Sequence, residues 1–356
     1  MKIELIGDLK IVQSNPNSIH SYFGWPTAAR LKNGKIAVGS SGFRLAHICP
    51  FGKAVLSYSE DEGKTYTAPA VVIDTPLDDR DVGLTPFGKS GLIFTSFNNT
   101  VAFQRAYAGA YANAYLDGVT PAQVEKFHAS EFCISYDNGI TFGPLYHSPV
   151  TSPHGPIELS DGTILWVGRT FQSAEFPDED IVKAYRVHLD GTMQYLGKIA
   201  NIVHNGMSLL SCEPDILQLP DGKILCHLRV QSENLFYTTY QSESTDGGKT
   251  WTAPHAVLSP KGGAPAHLML HSSGAVISTY GYREAPFGVR AMFSFDDGKT
   301  WDTDHVLFDK GTDYDLGYPS TVETQDGCLL TIFYAHYPNK TDPAVILQQK
   351  WRFERN

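Results

Sequence analysis

Apolar and polar residues alternate along the chain in short segments that are separated by glycine-containing turns. Six of these segments share one form: a short strand, a tight turn that ends in glycine, and a second strand rich in aliphatic residues. The six turn glycines are Gly34, Gly91, Gly162, Gly222, Gly274 and Gly327. Alternation on both sides of a glycine turn is typical of a β-hairpin. The sequence therefore predicts six hairpins, spaced roughly 50–70 residues apart, which indicates a repeat architecture of the propeller or solenoid type.

A second motif, with the pattern Ser-x-Asp-x-Gly-x-Thr-aromatic, repeats between the hairpins. Its four copies are Ser59–Tyr66, Ser135–Phe142, Ser244–Trp251 and Ser294–Trp301. In each copy the aspartate can accept hydrogen bonds from nearby backbone amides, and the glycine tolerates positive φ, so one copy alone predicts a hairpin turn. Four copies of this turn, which we call the Asp box, support the repeat architecture.

Together the two repeats predict one all-β domain over residues 1–356, a six-bladed β-propeller of four-stranded blades with Asp-box turns. The predicted blades span about 24–75, 76–149, 150–205, 206–258, 259–310 and 311–356. The third blade lacks an Asp box. We expect the N-terminal segment Ile3–Ile6 to complete the last blade by pairing with Gln348–Phe353.

Residues 99–130 break the β pattern and predict a helical insertion in the second blade. Thr120 and Pro121 are typical of an N-cap and a first helical position, so a short helix is expected from there to His128. Such an insertion either overhangs a site or decorates an edge of the fold.

Charge and composition narrow the classes of partner. The chain carries 28 Lys and Arg against 38 Asp and Glu, a net charge of −10, without a run of basic residues. This argues against nucleic acid and anionic membranes as partners, and no apolar run approaches the roughly 18 residues of a spanning helix.

The charged residues near the N-terminus do not fit a signal peptide, so we expect a cytoplasmic protein, or a secreted or periplasmic one if a leader has been removed. No two of its five cysteines lie in a Cys-x-x-Cys spacing, and they are expected to be buried thiols.

Polar residues occupy the start of the inner strand in nearly every predicted blade. Because these positions converge on one mouth of a propeller, the sequence predicts a central polar pocket there. Its candidate residues are Trp25, Asp78, Asp79, Arg80, Asp81, His154, Glu213, His267, Asp315 and Tyr318, with Arg229, Arg283 and Arg290 further along their blades. The histidines lack the spacing of a metal site, and neither a metal nor a cofactor is expected.

The Asp boxes, the six hairpins and the residues before them resemble the sialidase superfamily over nearly the whole chain. The resemblance implies that Tyr318 is a nucleophile and that Glu213 is its partner. A free phenol has a pKa near 10, so it needs a base to attack at neutral pH. The resemblance also implies that Arg229 and Arg290 are the second and third arginines of a carboxylate-binding triad, a role that suits the planar guanidinium.

Two positions depart from the family pattern. The segment Gly24–Thr27 has no counterpart of the first triad arginine, and the loop Phe43–Pro50 has no counterpart of the catalytic aspartate. Within that loop Arg44 is a candidate for the missing arginine, and His47 for the general acid/base. Asp79 and Asp81 are rival candidates for the acid/base role.

These features predict an exo-acting, retaining glycoside hydrolase that removes a terminal sialic acid or a related acidic sugar from a glycan. The alternatives are a propeller lyase or another exo-glycosidase acting on a uronate-containing glycan, or a carbohydrate-binding propeller without activity. The predicted catalytic residues are Tyr318, Glu213, His47, Asp79 and Asp81. The predicted substrate-binding residues are Arg44, Arg80, Arg229, Arg283, Arg290, His154, His267, Asp315 and Trp25. The sugar, its linkage and the oligomeric state stay open.

Overall fold

The computed structural model describes residues 1–171, 182–204, 206–232 and 237–355. Short parts of the third and fourth predicted blades therefore lie outside the described residues. Within the described ranges the chain forms six blades around a central axis and one separate two-stranded sheet, so the predicted six-bladed all-β propeller is confirmed. The first strands of neighbouring blades contact one another and form the innermost ring.

The strands follow the chain from the inside of each blade to the outside. The chain begins with β1 (Lys2–Gln13), and the first blade then contains β2 (Tyr22–Arg30), β3 (Ile36–Arg44), β4 (Lys53–Ser59) and β5 (Ala70–Ile73). The second blade contains β6 (Asp79–Phe87), β7 (Gly91–Asn98), β8 (Ser130–Ser135) and β9 (Tyr146–Ser148). The third contains β10 (Val150–Thr151), β11 (Ile157–Glu158), β12 (Ile164–Thr170), β13 (Val182–Val187) and β14 (Met193–Ile199).

A small strand pair precedes the fourth blade and consists of β15 (Val203–His204) and β16 (Met207–Ser208). The fourth blade contains β17 (Leu210–Gln218), β18 (Ile224–Gln231), β19 (Thr238–Ser244) and β20 (His255–Ala256). The fifth contains β21 (Ala266–Leu270), β22 (Val276–Tyr282), β23 (Gly288–Ser294) and β24 (Asp302–Phe308). The sixth contains β25 (Gly317–Glu323), β26 (Leu329–His336), β27 (Ala344–Glu354) and the N-terminal strand β1.

The ring is closed by the two ends of the chain. Strand β1 pairs antiparallel with β27, with Ile3 opposite Phe353 and Ile6 opposite Lys350. The predicted pairing of the N-terminal strand with the last blade is confirmed. This arrangement leaves the outer edge of blade six to β1 and joins the first and last parts of the sequence in one sheet.

The core lies between the blades. Each pair of neighbouring blades shares one apolar cluster, to which both sheets contribute side chains. Trp166, for example, packs with Phe132 across the interface of blades two and three, and Trp351 packs with Phe293 across that of blades five and six. Burial of these faces is the main favourable contribution to folding.

The four Asp boxes have one hydrogen-bonding pattern. In the last box Asp296 accepts from the backbone N–H of Thr300 at 2.9 Å and from its hydroxyl at 2.6 Å, and Ser294 Oγ donates to Asp296 at 2.8 Å. The N–H of Gly298 in turn donates to Ser294 Oγ at 2.8 Å. The hydrogen bonds from Thr300 to its carboxylate lower the pKa of Asp296 to about 2, and the equivalent aspartates show the same shift.

The insertion in blade two contains three short helices, α1 (Val101–Tyr107), α2 (Ala110–Leu116) and α3 (Pro121–Phe127). The predicted helix is α3, in which Thr120 is the N-cap and forms a capping box with Gln123. The two other helices were not predicted. Among the described residues no helix is long and apolar enough to cross a membrane, and all five cysteines are buried and unpaired.

Candidate active site

Four inner strands carry the same backbone irregularity near their first residues. Trp25, Asp81, Glu213 and Tyr318 have φ angles between 42° and 53°, in the left-handed region. Each lies where the pairing register of its strand shifts, as in a β-bulge. Such backbone conformations are costly for residues other than glycine and cluster at functional sites. The bulges place four side chains from four blades at one mouth of the propeller.

Tyr318 and Glu213 form a direct pair at this mouth. The hydroxyl of Tyr318 donates to Glu213 Oε1 at 2.6 Å. Arg229 Nη1 donates to both carboxylate oxygens of Glu213, at 2.7 and 2.6 Å, and lies 3.2 Å from the Tyr318 hydroxyl. The structure therefore brings together three of the residues that the sequence singled out.

Charge and burial in this trio keep the proton on Tyr318 and leave Glu213 ionised. Burial alone would raise the pKa of Glu213, but the charge and hydrogen bonds of Arg229 outweigh it and hold that pKa below its usual value. Burial, with the charge of Glu213, raises the pKa of Tyr318 well above the usual value of a phenol. The pair thus rests as a neutral phenol beside a carboxylate that can accept its proton.

A cavity of about 450 Å³ opens at the mouth between blades two, three and four. Its polar wall includes Asp81, Arg169 and Glu213, and its aromatic wall includes Phe97, Phe103 and Phe171. Phe103 comes from α1, so the helical insertion overhangs this site. We call it the main cavity. Its volume lies within the roughly 300–1,000 Å³ of small-molecule sites.

Asp81 is the second carboxylate of the main cavity. It is 6% exposed, and its Oδ1 atom has no hydrogen-bond partner within the described part of the chain. Burial raises the pKa of Asp81 to about 7, against the opposing charge of Arg80. The negative charge of Glu213, which lines the same cavity, raises it further. A carboxyl group in this state can donate a proton near neutral pH.

Basic residues end the second strand of several blades and therefore reach the same mouth. Arg169 lies near the end of β12 in blade three, Arg229 lies near the end of β18 in blade four, and Arg283 directly follows β22 in blade five. Arg229 and Arg283 both stack on the ring of Tyr237, at 4.6 and 4.7 Å. Arg283 hydrogen-bonds the backbone carbonyls of Ala264 and Tyr314, and within the described ranges no carboxylate pairs with it.

His47 lies in a different part of the mouth from the Tyr318 and Glu213 pair. Its Nδ1 is 2.8 Å from Asp315 Oδ1, and its ring packs edge-on against Trp25 at 5.0 Å. The guanidinium of Arg80 lies 3.8 Å from the centroid of the Trp25 ring, and its Nη2 lies 3.5 Å from His47 Nε2. Asp81 lines the main cavity and His47 is not among the described residues of its wall, so Asp81 is the better placed of the two for an acid/base role there.

Arg44 and Asp79, two candidate residues of the first two blades, make contacts that stabilise the fold. Arg44 is fully buried, forms an ion pair with Asp78 and donates to backbone carbonyls of its own loop, so it cannot take the place of the missing arginine at the surface of the cavity. Asp79 is also fully buried and accepts from the N–H and hydroxyl of Thr75. Burial raises the pKa of Asp79 to about 7.

Three further candidate residues make their contacts with residues outside the trio of Tyr318, Glu213 and Arg229. Arg290 pairs with Asp304 at 2.8 Å and stacks on Tyr282, whereas Arg283 lies 5.7 Å from the ring of Tyr318. His154 and His267 are ring neighbours at 4.9 Å inside the channel, and burial lowers the pKa of both. Within the described residues no group of three metal-ligating side chains exists.

Sequence reasoning missed Arg169 and the aromatic wall. Arg169 follows the turn glycine Gly162 by seven residues, and Arg229 follows Gly222 by the same interval. That interval is the length of a second strand from the turn to the mouth, so it was a usable signal. The wall residue Phe103 had no such signal, because the insertion has no equivalent in the other blades.

A sequence profile of the BNR repeat-like domain matches residues 89–332. The chain belongs to the BNR repeat-like domain family. No curated protein matches the sequence significantly.

Solved structures share the fold over nearly the whole chain. A protein of unknown function from Dyadobacter fermentans DSM 18053 matches with a TM-score of 0.78 at 20% identity, over 99% of each chain. Trypanosoma rangeli sialidase, as a covalent intermediate with 2,3-difluorosialic acid, matches at 0.64 and 14%, over 98% of this chain and 59% of that one. The NanB sialidase of Streptococcus pneumoniae matches at 0.66 and 12%, over 96% and 70%. This chain therefore has the propeller fold of these sialidases, as the sequence resemblance predicted.

Proposed function

We propose that this protein is an exo-acting glycoside hydrolase that releases a terminal sialic acid or a related acidic sugar with retention of configuration. The observation that carries the proposal is the 2.6 Å hydrogen bond between Tyr318 and Glu213 beside the main cavity. A tyrosine that shares its proton with a carboxylate is an activated nucleophile. Arginines and a second carboxyl group complete the chemistry that such a reaction needs.

In the first step the phenolic oxygen of Tyr318 attacks the anomeric carbon of the sugar. Its proton passes to Glu213 Oε1 as the new carbon–oxygen bond forms. The bond from the anomeric carbon to the leaving oxygen breaks, and Asp81 donates its proton to that oxygen. The products are a glycosyl–tyrosine and a neutral alcohol.

In the second step water attacks the same carbon from the face that the alcohol has left. The carboxylate of Asp81 accepts a proton from the water, and Glu213 returns its proton to the oxygen of Tyr318. Two displacements at one carbon restore the original configuration.

The acidic group of the sugar is assigned to Arg283, with Arg169 and Arg229 nearby. Arg283 has the strongest case because its guanidinium lies 5.7 Å from the Tyr318 ring, donates to backbone carbonyls and, among the described residues, forms an ion pair with no carboxylate. Guanidinium groups bind carboxylates in a bidentate manner. The similarity to sialidases whose structures hold sialic acid supports the choice of sugar.

The test is hydrolysis of a fluorogenic aryl α-sialoside by the wild type, Tyr318→Phe and Tyr58→Phe. We expect Tyr318→Phe to lose activity by roughly a thousand-fold or more, because it removes the nucleophile. Tyr58→Phe is the matched control, since its hydroxyl bonds Gly139 in an Asp-box turn, and it should keep full activity.

Absence of turnover by the wild type on sialosides would overturn the choice of sugar. An unsaturated product with new ultraviolet absorbance from a uronate-containing oligosaccharide would overturn hydrolysis in favour of a lyase.

A further inference from the structure

Tyr237 carries two arginines of the mouth on its ring, and the reaction proposed above gives it no part. It directly precedes β19, the third strand of blade four, and its side chain is partly buried. The guanidinium carbons of Arg229 and Arg283 lie 4.6 and 4.7 Å from the centroid of its ring. Both distances are within the roughly 6 Å over which an aromatic face attracts a cation. One ring therefore contacts a cation of blade four and a cation of blade five.

The donors of Arg229 are directed mainly at the nucleophile and its partner. Its Nη1 donates to both oxygens of Glu213 and lies 3.2 Å from the hydroxyl of Tyr318, and its Nη2 donates to Gln231 at 2.7 Å. Its Nε is buried and has no hydrogen-bond partner within the described part of the chain. Arg229 is thus largely engaged in keeping Glu213 ionised beside Tyr318.

Arg283 has more of its donors left for a ligand. Its Nε and Nη1 donate to the backbone carbonyls of Ala264 and Tyr314, at 3.3 and 2.9 Å. Among the described residues, no acceptor takes a hydrogen bond from its Nη2. Because its guanidinium also lies 5.7 Å from the ring of Tyr318, Arg283 is the better placed of the two arginines to receive an anion.

The ring of Tyr237 holds these two like charges at one place. Two guanidinium groups repel each other, whereas the negative face of an aromatic ring attracts each of them. The main chain fixes the ring, since the carbonyl of Tyr237 accepts from the N–H of Gly263 at 2.8 Å. The next residue, Ala264, accepts from Arg283. Tyr237 is therefore anchored where blades four and five meet, and its ring sets the position of Arg283 relative to Arg229.

We propose that Tyr237 is a positioning residue for recognition of the acidic sugar, and that its ring holds the guanidinium of Arg283 where it meets the acidic group. This rests on the proposed function, which assigns that group to Arg283. Tyr237 takes no part in the two chemical steps. Loss of its ring is therefore expected to weaken binding of the acidic sugar and to change the turnover of bound substrate little.

Binding of free N-acetylneuraminic acid, measured by titration calorimetry, tests this role without any turnover. Tyr237→Leu removes the ring and should raise the Kd roughly five- to thirty-fold, the range that loss of a partly desolvated cation–π contact explains. Tyr237→Phe keeps the ring and should bind as the wild type does. Phe295→Leu is the matched control, because Phe295 of the last Asp box carries the guanidinium of Arg355 at 4.3 Å. Equal binding to the wild type and Tyr237→Leu, or an equal loss in Tyr237→Phe, would overturn the role.

A double-mutant cycle shows whether the effect passes through Arg283. Arg283→Ala should weaken binding by itself, and Tyr237→Leu should then add little, because the ring no longer has that guanidinium to hold. Full additivity of the two losses would overturn the role. Tyr237→Gln also lacks the ring and replaces Tyr237→Leu in the cycle if the latter lowers the melting temperature.

Kinetics then separate this role from the reaction itself. On an aryl α-sialoside, Tyr237→Leu should raise KM by the same factor as the Kd and change kcat little. Turnover by the wild type with an unchanged KM in Tyr237→Leu would overturn the positioning role and leave the reaction intact. The expected binding losses in a protein that cleaves no sialoside would overturn the reaction and leave the role intact. Absence of N-acetylneuraminic acid binding to the wild type would overturn both.

Discussion

At the scale of single residues, the site is built at positions whose backbone conformation is strained. A left-handed backbone at Asp81, Glu213 or Tyr318 costs of order 1–3 kcal/mol each. The shared bulge shows why these side chains leave the plane of their sheets and meet at the mouth. The polar character of these positions could be predicted from the sequence, but the bulge could not, because nothing local in Cys212–Pro214 or Gly317–Pro319 requires it.

Asp81 is expected to set the alkaline limb of the pH profile. Since burial raises its pKa to about 7, the proton that it donates is lost as the pH rises through that value, and kcat/KM should fall there. Asp81→Asn should remove this limb and reduce cleavage of alkyl sialosides by roughly a hundred-fold or more, with a smaller loss for aryl sialosides, which need less acid assistance.

His47→Gln is the control for this assignment. If the alkaline limb persists in Asp81→Asn and disappears in His47→Gln, then His47 rather than Asp81 is the acid/base. Initial rates across the pH range of stability would decide between the two.

Glu131 illustrates a buried acid that the proposed reaction does not use. It is 1% exposed, its Oε1 has no partner among the described residues, and burial raises its pKa to about 8 with a contribution from Asp79. A raised folded-state pKa gives stability that is present below the unfolded value near 4.5 and is lost as the pH rises through about 8. Glu131→Gln should therefore stabilise the fold at pH 8, by roughly 2–5 kcal/mol, and much less at pH 4.

Urea unfolding at the two pH values measures this difference. Glu125→Gln, on the exposed face of α3, should change neither value. A stabilisation by Glu131→Gln of equal size at both pH values would contradict the account.

At the scale of elements, the Asp box is a self-contained hydrogen-bonded turn. The pKa of Asp296 is lowered to about 2 by the hydrogen bonds from Thr300, so its contribution to stability is present above the usual aspartate pKa and is lost as the pH falls towards 2. Asp296→Asn should lower the melting temperature at pH 7, and the difference from the wild type should shrink in acid.

The neighbouring Asp297→Asn is the matched control, since Asp297 lies in the same turn and Thr300 donates to Asp296. Scanning calorimetry at pH 7 and in acid would show the difference. An equal loss in both variants would mean that the carboxylate hydrogen bonds do not stabilise the turn.

The hairpins and the Asp boxes could be predicted from the sequence because their signals are local. Each depends on a glycine and on polar side chains that bond the backbone a few residues away. Tyr318 and Glu213 could be found because they precede recognisable hairpins. Arg290 and His47 could not be placed in the same way, since Arg290 contacts Asp304 on the neighbouring strand of its blade and His47 contacts Asp315 of the last blade, and neither contact has a local sequence signal.

At the scale of the whole molecule, ring closure brings together side chains that are far apart in the sequence. Tyr318 of blade six meets Glu213 and Arg229 of blade four, and Asp81 of blade two lines the main cavity together with Glu213. The pairing of β1 with β27 holds the last blade in the ring that makes these distances short. The chain is acidic overall, yet arginines from several blades gather at the mouth, which favours an anionic substrate there.

The most direct test of the account is covalent labelling of the wild type with 2,3-difluorosialic acid. The fluorine beside the anomeric carbon slows both steps, but fluoride leaves readily from the anomeric carbon as Tyr318 attacks in the first, so the glycosyl–tyrosine should accumulate. Intact-mass spectrometry is predicted to show one added fluorosialosyl group, which peptide mapping places on Tyr318 and which Tyr318→Phe does not acquire. An unlabelled wild type, or a label on any residue other than Tyr318, would contradict the account.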